Sequence, residues 1–147
     1  MENAPERRER METLALSPPE ALEEILEKFP KFSEPVILRA PETGLVMVRG
    51  RTGGDGDAFC LGEALVSRAA VSIDGIVGFG MVLRSNSNHA LNCAVLDALG
   101  RHPDSRERVR EELARLSAKR EEKIKMEEDR VKETRVEFFT MVRGDAE

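Results

Sequence analysis

Seven residues between positions 49 and 68 suit the binding of a phosphate or phosphonate group. They are three arginines, one glutamate and three glycines: Arg49, Arg51, Arg68, Glu63, Gly53, Gly54 and Gly56. A guanidinium group binds two oxygens of an anion at once, and glycine lets main-chain N–H groups approach a ligand closely. The pattern therefore predicts a ligand-binding or active-site-shaping loop. Salt bridges beside a loop are a commoner use of such charges, and that alternative stays open.

The same loop lacks the residues that other phosphate or metal sites need. It has no lysine followed by a hydroxyl residue, and its Gly54-Asp55-Gly56 fragment does not continue into a dinucleotide-binding fingerprint. Asp55 and Asp57 fit a calcium loop, but an oxygen ligand, a glycine and a closing glutamate are required at the positions of Phe59, Cys60 and Val66. No metal site is predicted, and no histidine is spaced with a nucleophile as in a hydrolytic triad.

Strands must hold this loop, which is expected to span residues 52–62. A first strand is predicted from Pro35 to Ala40, ended by Pro41. The apolar run Leu45 to Val48 predicts a second strand, and the alternating pattern from Glu63 to Asp74 predicts a third. The sheet should therefore occupy residues 34–84.

A fourth strand is predicted from Ile76 to Leu83, after a hairpin turn at Asp74-Gly75. Gly78 and Gly80 alternate with apolar residues in it and leave one face bare. Such a face allows another backbone or a helix to lie close, but it also fits a bulge in the sheet. The sequence does not decide between the two.

Helices are predicted both before and after the strands along the chain. Residues 11–29 form the N-terminal helices, with Ser17 and Glu20 as a capping box and Pro30 as the end. Residues 88–100 form an apolar core helix that Gly100 stops. His89 lies near its N-terminus, where we expect a surface or capping residue rather than a catalyst.

A long charged helix and an apolar tail are predicted over residues 105–147. The helix has few apolar residues, among them Ile124 and Val131, so it cannot be buried in the core of this chain. The tail then concentrates apolar area, which favours docking on another subunit. The predicted partner interface consists of Ile124, Val131, Phe138, Phe139, Met141, Val142 and Arg143.

Composition limits the class of protein. The 147 residues fit one domain, and the absence of tryptophan and tyrosine favours a protein completed by partners. The net charge of −5 with interleaved signs argues against nucleic-acid binding, and no apolar run is long enough to cross a membrane. Two distant cysteines and no signal peptide predict reduced thiols in the cytoplasm.

Long motifs in this sequence are similar to those of a known family. The strand TGLVMVRGR at 43–51, the loop GGDGDAFCLGE at 53–63, the helix end NCAVLDAL at 92–99 and the tail FFTMVRGD at 138–145 resemble the G subunit of the bacterial carbon-phosphorus lyase core complex. The resemblance extends from about Met11 to Ala146. The segment from Arg84 to Asn88 departs from the more charged turn that is usual before that helix.

The resemblance implies a subunit rather than an independent enzyme. In that family, the G subunit joins H, I and J subunits, and with the H, I and L proteins it supports transfer of the ribose triphosphate of ATP to methylphosphonate. Adenine is released, and MgATP is a substrate of the complex. The iron-sulfur cluster and S-adenosylmethionine belong to the J subunit, and two cysteines cannot hold such a cluster alone.

The sequence thus predicts one α+β domain with an antiparallel sheet of about four strands, packed helices and a long C-terminal arm. The leading functional hypothesis is a transferase subunit of phosphonate metabolism that is not catalytic by itself. The second is a purely structural assembly subunit with no substrate contact. An independent phosphonate-binding module is the third.

Overall fold

The computed structural model describes residues 4–29 and 32–133 and contains four helices and one sheet in these ranges. The elements are α1 (Ala4–Leu16), α2 (Pro19–Leu26), β1 (Val36–Arg51), β2 (Ala58–Ile73), β3 (Ile76–Leu83), α3 (Ser87–Leu99) and α4 (Arg106–Glu133). An antiparallel sheet with helices on one face is the α+β class, as predicted. No helix in the described ranges is long and apolar enough to cross a membrane.

The sheet has three strands in the order β1-β2-β3, so the prediction of four strands is wrong. The two strands expected on either side of Pro41 are one strand. Pro41 is tolerated because β1 lies at the edge of the sheet, where proline's missing N–H removes no ladder hydrogen bond. Register shifts on both sides of Arg39 absorb the local irregularity.

The loop between the first two strands is shorter than predicted. β2 begins at Ala58 rather than Glu63, because residues 58–62 pair with residues 48–51 of β1. The turn proper covers only residues 52–57. At the other end of β2, Asp74 and Gly75 have φ angles of 49° and 81°. A type I′ hairpin turn needs positive φ at both positions, so this prediction is confirmed.

The glycine face of β3 is where α3 packs. A Cβ atom built on Gly78 would meet main-chain atoms of Ala94 and Ala98, and one built on Gly80 would meet main-chain atoms of Ala90 and Ala94. Close approach of a helix is therefore the reason for both glycines, and the alternative of a bulge is wrong. The core between this face and the helices consists of aliphatic and small residues, chiefly Leu14, Leu22, Ile25, Val71, Ile73, Val82, Leu96, Leu99 and Val109.

A fully buried carboxylate joins α1, β3 and α3. Asp97 is 0% exposed and accepts hydrogen bonds from Arg7 Nη2 at 2.9 Å, Arg10 Nε at 3.1 Å, Arg10 Nη2 at 2.8 Å and the Phe79 N–H at 3.0 Å. Arg7 also lies over the Phe79 ring, 5.5 Å from its centroid. These contacts hold α1 beside β3, so the helix begins at Ala4 instead of near Met11.

Two predictions about local chemistry at the helix ends are wrong. Ser17 does not cap α2; its hydroxyl donates to the Thr13 carbonyl at 2.6 Å, and Pro18 occupies the N-cap position. His89 is buried rather than on the surface, and its Nε2 donates to the Leu14 carbonyl at 3.2 Å. The cap of α3 is Asn86, which accepts from the His89 N–H. Pro30 lies outside the described residues.

α4 leaves the core partway along its length. Val109 and Leu113 are buried, and Lys28 of α2 forms a 2.9 Å ion pair with Glu112. Every residue from Glu121 to Lys132 is exposed, as expected for a helix that extends beyond the core. The 12 exposed residues alone extend for about 18 Å.

Candidate functional site

The most unusual surface of the molecule is a two-stranded arm that rises from the sheet. β3 pairs only with residues 66–73 of β2, so residues 45–51 and 58–65 pair with each other alone. We call residues 45–65 the hairpin arm. Its paired portion is about 24 Å long at 3.4 Å per residue.

One face of the arm is entirely apolar. It contains Val46 and Val48 from β1 and Phe59 and Leu61 from β2, and Leu61 is 61% exposed. The Leu61 side chain lies over Gly50, where an added Cβ would come within 2.8 Å of Leu61 Cδ1. This packing of leucine on glycine makes the face continuous from one strand to the other.

The opposite face of the arm mixes apolar and charged groups. The register places Leu45 opposite Leu65, Met47 opposite Glu63 and Arg49 opposite Cys60 on this face. Met47 is 65% exposed. Apolar side chains are thus exposed on both faces of the arm. An isolated two-stranded hairpin is at best marginally stable in water, so a surface of this kind fits a partner.

The apolar face of the arm continues onto the side of the sheet opposite α3, where α1 reaches only the β3 edge through Arg7 and Met11. This open sheet face contains Val36, Phe79, Met81 and Leu83, and Leu83 is 66% exposed. Beside Phe79 and Met81 lies a shallow groove of about 530 Å³. The arm and the open sheet face form one extended exposed surface, in which the ion-paired side chains Arg39, Glu42 and Arg68 lie among the apolar ones.

The predicted anion-binding residues are spread along this surface rather than gathered. Gly53 and Gly54 have φ angles of 61° and 91° in the turn at the tip, as predicted for glycines with positive φ. Gly56 lies there too, and Arg51 Nη1 donates to its carbonyl at 3.4 Å. The tip therefore presents Arg49, Arg51 and three glycines at the end of the arm.

Arg68 lies at the base of the arm, away from Arg49 and Arg51. Its Nε donates to Glu42 at 2.7 Å, and Arg39 lies on the same carboxylate at 3.4 Å. Arg68 pairs in the sheet with Glu42, nine residues before Arg51, which corresponds to about 30 Å along the strand. The chain alone does not assemble the four predicted charges into one pocket.

The predicted partner interface is described only in part. Ile124 and Val131 are exposed on α4. Phe138, Phe139, Met141, Val142 and Arg143 lie outside the described residues.

The described residues offer surfaces for binding rather than a catalytic constellation. No group of three or more potential metal ligands is found among them. Cys60 is exposed on the arm, while Cys93 is buried in α3. Burial, followed by the nearby charge of Asp97, raises the pKa of the Cys93 thiol to about 12, so it stays protonated at neutral pH.

Sequence reasoning did not identify the open sheet face or the role of Asp97. The alternation in β2 and β3 indicated two different faces, but alternation alone does not show that only one of them is covered by helices. Asp97 stood inside an apolar helix, and a charged residue in that position is a usable signal of a buried ion pair.

Comparison with known proteins yields a family and a relative. The family model described as phosphonate metabolism protein PhnG matches residues 5–144. A protein of Rhizobium meliloti (strain 1021), named alpha-D-ribose 1-methylphosphonate 5-triphosphate synthase subunit PhnG, is 50% identical over 113 residues. The alignment covers 74% of this chain and 70% of that protein.

Proposed function

The chain belongs to the phosphonate metabolism protein PhnG family, and from this premise we propose that it is a subunit of an alpha-D-ribose 1-methylphosphonate 5-triphosphate synthase. In that role it supports transfer of the ribose triphosphate of ATP to methylphosphonate, with adenine released. The chain supplies surfaces to the assembly and is not catalytic alone.

The hairpin arm is the observation that carries this proposal. Burying one large apolar side chain stabilises a complex by about 1.5–3 kcal/mol before the costs of association, and the arm exposes several of them. Phe59 and Leu61 have the two largest side chains of its apolar face, and both are exposed. They are the residues we expect to act as anchors on a partner.

The partners proposed are the H, I and J subunits of the carbon-phosphorus lyase core complex, with the L protein also needed for the transfer. MgATP is the substrate of the complex. The iron-sulfur cluster and S-adenosylmethionine belong to another subunit, a proposal supported by the positions of Cys60 on the arm and Cys93 in the core. The unpaired thiol of the exposed Cys60 fits a reducing cytoplasm.

Arg49 and Arg51 give the arm a second role in this proposal. They lie near its tip, where a docked arm can bring guanidinium groups to the edge of a partner's active site. Guanidinium groups bind phosphate and phosphonate oxygens well. A purely structural assembly subunit is the other candidate, and it is favoured by the distance that separates Arg68 from this pair.

Co-purification tests the docking step. The full-length chain is tagged and co-expressed with the other synthase subunits, alongside a double variant Phe59→Asp/Leu61→Asp and a control, Ala118→Asp, at an exposed position of α4. We expect the wild type and the control to bring down the partners and the double variant to lose them while keeping its far-ultraviolet circular dichroism. A folded double variant that assembles normally would refute docking through the arm.

Two further variants test the arginines and the tail. Arg49→Ala/Arg51→Ala should assemble but lose adenine release if the arginines serve the active site, whereas full turnover would leave the structural role. A chain ending at Glu137 tests the apolar tail, and we expect it to co-purify poorly with the partners.

A further inference from the structure

A second surface, built from the helices alone, is concave and basic. It lies between α2 and α4 and has a volume of about 520 Å³. Five cationic and two anionic side chains line it, namely Lys28, Arg115, Lys119, Arg120, Lys123, Glu24 and Glu112. We call it the basic groove. It is an exception in a chain whose net charge is −5.

Part of this charge is already compensated inside the groove. Glu112 forms ion pairs with Lys28 at 2.9 Å and with Arg115 at 3.2 Å. Lys28 holds the pKa of Glu112 below its usual value, so the carboxylate is ionised at neutral pH. In residues 4–29 and 32–133, no hydrogen bond or ion pair engages the side chain of Lys119, Arg120 or Lys123. Three cations therefore remain available to an anionic group from outside.

The cations of the groove are regularly spaced along α4. Arg115, Lys119 and Lys123 follow one another at intervals of four residues and lie on one side of the helix. Like charges at this spacing repel one another. An occupant with carboxylates at the same interval would turn this repulsion into attraction.

The floor of the groove indicates what kind of occupant fits. It is formed by Leu16, which is 48% exposed, together with Pro18, Ala21 and Leu116. A small polyphosphate would satisfy the cations but leave this apolar floor in water. An amphipathic helix covers the floor with one stripe and meets the cations with its flanking carboxylates.

We propose that the basic groove binds an acidic amphipathic helix from another subunit of the synthase. Successive carboxylates four residues apart on that helix pair with Lys119 and Lys123. This inference rests on the proposed function, because it takes the partner from the same assembly. It adds a charged contact that is separate from the apolar contact of the hairpin arm.

Zero-length carbodiimide cross-linking of the purified assembly tests the contact directly. The reagent joins an amine to a carboxylate only where the two touch, so we expect links from Lys119 and Lys123 to acidic residues one turn apart in a single partner segment. An intact assembly that gives no link from either lysine would overturn the inference. If the wild-type chain joins no assembly, it is the proposed function that fails.

Charge reversal provides the quantitative test. Lys119→Glu/Arg120→Glu/Lys123→Glu is compared with Arg110→Glu/Lys125→Glu/Lys132→Glu, which makes the same change in net charge outside the groove on the same helix. We expect the groove variant to bind the other subunits about 10-fold or more weakly at about 0.05 M salt, with the loss shrinking to about 2-fold at about 0.5 M salt.

The outcomes of that comparison are distinct. Equal weakening by both triple variants refutes a specific groove contact and indicates only the effect of net charge. The neutral variant Lys119→Gln/Arg120→Gln/Lys123→Gln should lose less affinity than the charge-reversal variant of the groove. This graded loss distinguishes an effect of charge from an effect of misfolding. Titration of the free chain with inorganic tripolyphosphate covers the other class of ligand. Stoichiometric binding that the groove variant abolishes would replace the helix with a polyphosphate.

Discussion

Replacing Asp97 with alanine should reduce the free energy of unfolding by about 3–5 kcal/mol, the usual cost of removing one member of a buried ion pair. The magnitude follows from the surroundings. Asp97 is 0% exposed and accepts three hydrogen bonds from arginines and one from a main-chain N–H. The Arg10 side chain is only 10% exposed, so water cannot easily replace the lost carboxylate.

The order of related variants follows from the same contacts. Asp97→Asn keeps the shape of the side chain and an acceptor for the Phe79 N–H, so it should cost less than Asp97→Ala. Arg7→Ala should cost least, about 1 kcal/mol, because the Arg7 side chain is 31% exposed and Arg10 still holds the carboxylate. The double variant Asp97→Ala/Arg10→Ala should be less destabilised than the sum of its single variants.

Urea unfolding measures these differences. The chain has no tryptophan or tyrosine, so far-ultraviolet circular dichroism is the suitable signal. With an m-value of about 2 kcal/mol/M, the Asp97→Ala midpoint should fall by about 2 M. A loss below about 1 kcal/mol, or an Arg7→Ala variant as unstable as Asp97→Ala, would show that the buried carboxylate is not what holds α1 to β3 and α3.

Three further predictions concern packing, thiol reactivity and pH. Gly80→Ala should destabilise the fold by about 3 kcal/mol or more because the new Cβ meets the backbone of α3. Gly44→Ala should be tolerated, since the space around Gly44 is open. Urea unfolding compares the two variants, and equal stability would contradict the close packing of α3 on Gly80. A thiol reagent at neutral pH should modify Cys60 in the folded chain and Cys93 only after denaturation, since burial raises the pKa of the Cys93 thiol to about 12. Mass spectrometry of the labelled chain checks this order, and labelling of Cys93 in the folded chain would refute it. Glu112→Gln should lower the melting temperature at pH 7, where the carboxylate contributes fully. The pKa of Glu112 in the folded chain lies below the ordinary value of 4.5, so that contribution is lost as pH falls through the folded pKa. The melting temperatures of the wild type and of Glu112→Gln should therefore converge in acid. A difference that persists there would argue against the ion pair.

The sequence predicted best where one local rule decided the outcome. Asp74-Gly75 needed only turn geometry, and both φ angles are positive as expected. Gly78 and Gly80 correctly marked an exceptional face, although choosing between a bulge and a helix required the position of α3. The apolar stripe of residues 88–100 likewise predicted the buried helix.

Predictions failed where distant contacts outweighed a local signal. Proline at position 41 usually interrupts a strand, but an edge position removes that penalty, and only strand order reveals an edge. His89 and Asp97 are buried because α1 covers them, and α1 has little apolar periodicity of its own to reveal its position. The seven predicted ligand residues were close in sequence, yet a long antiparallel pair spreads such residues along its length.

The outer edge of β1 has a consequence for the chain before it reaches its partners. No strand of the described ranges pairs with that edge, and beyond Glu42 it runs for nine further residues to Arg51. Free N–H and C=O groups on a long exposed strand are a template for pairing with other chains. Pro41 and the register shifts beside Arg39 and at Val48/Arg49 interrupt this edge, but residues 42–48 form an uninterrupted run between them. Copies synthesised in excess of the other subunits should therefore aggregate edge to edge. Balanced production of the subunits then serves protein quality control as well as phosphonate metabolism.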